Sequence, residues 1–94
     1  MEQESVLLTY INDGDPFACY IVQHPPVAHR VDTCLITLKH LEGSRHIADL
    51  MAMRDAANQL CMTAFQYQFY DHAAVYVRMY ERYCLALLPY SGVR

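Results

Sequence analysis

Two short apolar runs open the chain, residues 5 to 11 (SVLLTYI) and 17 to 22 (FACYIV), both rich in β-branched and aromatic side chains that suit a pleated surface. The intervening NDGDP holds residues that favour turns or positive φ. The pattern predicts a β-hairpin over residues 5 to 22. Residues 23 to 31 follow as a connector of extended or polyproline character, because Pro25 and Pro26 have no N–H to give a central ladder.

From residue 32 to 42 two periods compete. Val31, Cys34, Leu35, Leu38 and Leu41 form a helical stripe, with Asp32 as N-cap and Gly43 just past the end. Thr33, Ile36 and Thr37 lean instead to a third strand with Cys34, Ile36 and Leu38 on one face. Helix is the preferred reading.

Ser44 is placed to cap a long helix running to about residue 70, with an apolar stripe of Ile47, Leu50, Met51, Met53, Ala57, Leu60, Cys61, Ala64, Phe65 and Phe69. Twenty-seven residues would make a rod of about 40 Å, longer than the roughly 30 Å of a domain this size, so it must kink, stop early or project. A last helix over residues 72 to 88, capped by Asp71 and stopped by Pro89, is expected to fold back along it. No Gly or Pro marks the break, which is placed near residues 70 to 72.

That last segment carries an excess. On a helical wheel Arg78, Glu81 and Arg82 occupy only about 100°, while Ala73, Val77, Cys84 and Leu88, then Tyr76, Tyr80, Tyr83 and Leu87, with Val75, Met79 and Ala86, cover most of the rest. Either the remaining elements surround this helix or a partner covers it. Eight tyrosines and no tryptophan point to a docking surface. Arg54 and Asn58 sit inside the apolar arc of the preceding helix, where polar groups need partners: a carboxylate from the hairpin turn or Glu42, or a group on another protein. The candidate partner-binding residues are Arg54, Asn58, Tyr67, Tyr70, Tyr76, Tyr80 and Tyr83.

At 94 residues, 54% hydrophobic and 18% charged, the chain is one folded domain, residues 1 to 94. A net charge of -3, with Lys39 and six arginines, supplies no basic stripe, which disfavours nucleic acid. Glu2, Glu4, Asp13 and Asp15 give the amino-terminal end a small negative field.

Cys19, Cys34, Cys61 and Cys84 show no CxxC spacing and read as buried free thiols of a reducing, cytoplasmic compartment. The opening MEQESVLL lacks the positive charge of a secretory segment, and no apolar run reaches the roughly 18 residues of a membrane span. The five histidines lack the tight spacing of zinc ligands, and no GxGxxG, phosphate-loop or GxSxG motif occurs. No metal, cofactor or enzymatic activity is expected.

Tyr83, Ala86, Leu87 and Pro89 resemble, over seven residues, the end of the second helix of a tetratricopeptide repeat. One such unit cannot bury its face without stacked neighbours, and no family is assigned on it.

The residues together predict an α+β domain, an amino-terminal β-hairpin packed on a helical region over residues 32 to 88 dominated by two long helices. Its expected role is a non-catalytic interaction module that binds another protein or a second copy of itself: an inhibitor, adaptor or assembly subunit, or a phage or mobile-element inhibitor of a host defence complex such as an anti-CRISPR. The competing expectation is a DNA-binding regulator with a helix-turn-helix in residues 32 to 70.

Overall fold

In the computed structural model, which describes residues 5–90, Pro25 and Pro26 begin a helix rather than separate two elements. Five helices follow in order: α1 (Val6–Asn12), α2 (Pro16–Ile21), α3 (Pro25–His40), α4 (Ile47–Gln66) and α5 (Tyr70–Leu87), with a 3-10 turn at Leu88–Tyr90. Among the described residues there is no strand, so the α+β class and its hairpin are replaced by an all-helical domain. Glu2 and Glu4 of the acidic end lie outside the described residues.

Helix-capping chemistry outweighs strand propensity in the first 22 residues. Ser5 Oγ accepts the Leu8 N–H, and Asp32 Oδ1, reaching across from α3, accepts the Leu7 N–H at 2.9 Å. Asp32 is thus a cap for α1 and not for its own helix. NDGDP is the end of one helix and the start of the next. The Asp15 N–H bonds the Tyr10 carbonyl and the Gly14 N–H bonds the Ile11 carbonyl, the two closures of a Schellman motif with Gly14 at φ +82°. Asp15 then caps α2 by accepting the Ala18 N–H at 2.9 Å, and Pro16 takes the first helical position. Val6 and Leu7 of α1, and Phe17, Ala18 and Ile21 of α2, face the core at helical spacing.

The expected connector over residues 23 to 31 is the first part of α3. A first-turn N–H has no helical acceptor, so proline loses nothing there. The third-strand alternative for residues 32 to 42 also falls. Thr33 and Thr37 keep the helix by donating their hydroxyls to the carbonyls one turn back, His29 at 2.9 Å and Thr33 at 3.0 Å.

Gly43, at φ +83°, turns the chain toward α4. His46, not Ser44, is the N-cap; the Ser44 hydroxyl instead donates to Asp49 in the first turn at 2.6 Å. α4 ends early, at Gln66, in a second Schellman motif, with the Gln68 N–H on the Phe65 carbonyl and the Phe69 N–H on the Ala64 carbonyl. Gln68 sits at φ +68°, a conformation usually left to glycine, which is why nothing in the sequence marks this turn. α5 then runs back along α4: Tyr70 meets Phe65 near the turn, and Leu87 and Cys84 share a hollow with Ile47 and Met51 at the other end.

The core is a small cluster in which Val31, Cys34 and Leu35 of α3 meet Ala56, Leu60 and Ala64 of α4, closed by α1, α2 and Ala73. Alanine at positions 56, 57 and 64 lets the backbones approach closely. The molecule measures 46 × 35 × 21 Å with a radius of gyration of 13.9 Å, against about 12 Å for a compact chain of this length. A thickness of 21 Å is two helices deep, since one helix with its side chains is roughly 10 Å across. Such a slab cannot surround any helix.

Candidate functional site: a groove between two splayed helices

The slab decides the fate of the apolar excess on α5. Ala73 is the only residue of that helix that is buried, while Val75 is 57% and Leu85 65% exposed. None of the eight tyrosines is among the buried residues. α3 and α5 both pack on α4 but scarcely touch one another, and a groove of about 830 Å³ opens between them.

Leu50 and Met53 of α4 form part of its floor, Leu35 and Leu38 line it from α3, and Val75, Tyr76, Met79, Tyr83 and Ala86 line it from α5. Those α5 positions recur every three or four residues, so they share one face. α1 reaches one end with Val6 and Tyr10, and the α3–α4 linker reaches the other with Glu42, Gly43, Ser44 and Arg45.

The charges on its rim are unevenly distributed, acidic at one end and three cations to one acid at the other. Asp15 and Asp71 stand where α5 begins, with His72 beside them; Lys39, Arg45 and Arg82 stand with Glu42 at the far end. Asp15 bonds His72 Nε2 at 2.8 Å, and the imidazole packs among the rings of Phe17 and Phe69. This contact ties α2 to α5. Desolvation lifts the Tyr76 phenol well above its ordinary range, with smaller contributions from Tyr10, Asp15 and Cys34, and lifts Tyr83 as well. Both phenols stay neutral, as lining for an apolar contact requires.

The seven residues proposed from sequence do not share one surface. Tyr76 and Tyr83 line the groove. Tyr67 is half-buried at another place, stacked on His24 and close to Tyr20. Tyr70 is exposed against Phe65, and Asn58 is exposed on α4. Arg54 is half-buried in the small hollow with Met51 and Cys84, and its guanidinium pairs with the adjacent Asp55 at 3.1 Å rather than with the α1–α2 turn or Glu42. Tyr80 lies near Arg54 and Cys84, and the Cys84 sulfur beside it pushes its phenol up.

Sequence reading missed the α3 wall, Leu35 and Leu38, and the rim cations Lys39 and Arg45. Both leucines carry the ordinary signature of core, and nothing local says that α3 and α5 stand apart.

Cys34 is buried, its thiol pushed up by desolvation, whereas Cys19, Cys61 and Cys84 are half-buried; all four are free thiols. Among the described residues no three His, Cys, Asp or Glu side chains converge, and no helix is long and apolar enough to cross a membrane. Comparison with protein-family models, curated proteins and solved structures finds no match.

Proposed function

We propose that the protein is a protein–protein interaction module whose groove between α3 and α5 receives an apolar segment of another protein. The observation that supports this is the continuous apolar wall of α5, Val75, Tyr76, Met79, Tyr83 and Ala86, facing α3 across open space instead of packing on it. Exposed apolar surface of that extent is costly in water and is a mark of docking sites. Aromatic side chains and Met at its centre, with charges confined to the rim, match the anatomy of protein interfaces. Inhibition, adaptation and assembly are all consistent with such a groove.

The DNA-binding alternative gains little from α4. Its exposed face carries Asp55, and Arg54, its one arginine, is already paired there. A groove-reading helix needs free donors toward bases and phosphates.

The test is a selection from displayed sixteen-residue helix-forming peptides with a fixed Leu and Met stripe. Peptides that bind the wild-type protein should lose at least about tenfold in affinity, roughly 1.4 kcal/mol, to Met79→Glu, which places a carboxylate in the groove. Tyr80→Glu, beside Arg54 and outside the groove, should leave their affinity unchanged. A selection with no binders sensitive to Met79→Glu overturns the assignment.

A further inference from the structure

The uneven rim charge also says which way round an occupant sits. We infer that the groove takes a single amphipathic α-helix of about 14 residues from a partner protein, docked with its amino terminus at Asp15 and Asp71 and its carboxyl terminus at Lys39, Arg45 and Arg82. This rests on the groove being the docking site.

The length follows from α5. Its lining residues run from Asp71 to Ala86, a rise of about 22 Å at 1.5 Å per residue, which another helix of about 14 or 15 residues matches. An extended strand would satisfy its backbone on a sheet edge, and the described residues contain none. A helix meets its own backbone needs and has only to bury a stripe, as the apolar floor and walls require.

The polarity follows from the charges. Asp71 and Arg82 are separated by about 16 Å along α5, so the two ends present opposite fields to anything lying between. A helix carries roughly half a positive charge at its amino end and half a negative charge at its carboxyl end. Basic side chains in its first turn and acidic ones in its last would strengthen the match. In this orientation the occupant runs antiparallel to α4, and becomes the fourth long helix of the slab.

The peptide selection supplies the readout. Selected binders should be enriched in Lys or Arg over their first turn and in Glu or Asp over their last. A photo-cross-linker on the peptide amino terminus should label the first turn of α5, near Asp71. The double variant Asp71→Lys with Arg82→Glu exchanges two exposed charges, so it should fold normally and weaken those peptides at least about tenfold, an effect that fades as salt rises.

Binders sensitive to Met79→Glu but with no charge bias, or cross-linked near Arg82, overturn the orientation and keep the groove. No binders sensitive to Met79→Glu overturn both. A protein that is dimeric by light scattering, and made monomeric by Met79→Glu, identifies the occupant as a second copy and overturns the partner helix.

Discussion

Replacing Asp15 by Ala removes two contacts at once, because each oxygen of that carboxylate has its own task. Oδ2 accepts the Ala18 N–H at 2.9 Å and caps α2, while Oδ1 meets His72 Nε2 at 2.8 Å across 57 residues of sequence. Loss of an Asp cap costs about 1 kcal/mol. The partly buried His72 contact is worth about another 1 kcal/mol net. The sum, about 2 kcal/mol, is a large share of the roughly 5 to 14 kcal/mol that holds a domain of this length together. The midpoint of thermal unfolding should fall by about 8 to 16 °C.

Urea denaturation followed by far-ultraviolet circular dichroism measures this on wild type, Asp15→Ala, His72→Ala and the double variant. The coupling between the two sites should be about 1 kcal/mol. Asp15→Asn separates the tasks, since Asn caps as well as Asp and would keep α2 while weakening the His72 contact. An Asp15→Ala protein within about 0.5 kcal/mol of wild type, with no coupling to His72, would refute the docking of α2 on α5 and restore a turn in which Asp15 is only a surface residue.

Gln68→Gly should stabilise the protein by about 0.5 to 1 kcal/mol, because relief of the left-handed strain at φ +68° exceeds the entropy that glycine adds to the unfolded chain; the same urea titration checks it, and a loss of stability would contradict the turn. Burial keeps the Tyr76 phenol protonated in the folded protein after it has ionised in the unfolded chain. The Tyr76 contribution to stability is therefore full below about pH 10 and declines as pH rises beyond it. Tyr76→Phe should flatten that decline without removing it, since Tyr80, Tyr83 and Cys34 are shifted in the same direction; denaturation midpoints from pH 8 to 11 read the difference, and an unaltered profile would place Tyr76 in solvent.

How far the fold was legible depends on how local its cause is. The two long helices and their antiparallel return follow from apolar periodicity, and the structure has both. The length of rod that a small domain can bury left a kink, an early stop or a projection open; the structure takes the early stop, with its turn at residues 67 to 69 and not at 70 to 72. Gly43 lies just past the end of α3, where the helical stripe of residues 31 to 41 implies it. In the first 22 residues the same letters support two structures. Gly14, Asp15 and Pro16 serve a hairpin turn or a pair of helix ends equally well, and tertiary contacts favour the helices: Asp32 on α3 to the Leu7 N–H, Asp15 to His72 on α5, and the burial of Val6, Leu7, Phe17, Ala18 and Ile21 at helical spacing. Pro25 and Pro26 break a ladder but start a helix.

The site divides in the same way. That α5 has more apolar surface than docking on one neighbour needs is a property of its sequence. Which part of that surface is left open was decided by α4, whose alanines draw α3 and α5 onto it side by side and leave a slab 21 Å thick in which no helix of the described residues fills the gap. Tyr76 and Tyr83 face that gap, whereas Tyr67 and Tyr80 turn elsewhere, because a residue's face on a helix is set by its number but what that face meets is set by elements far along the chain.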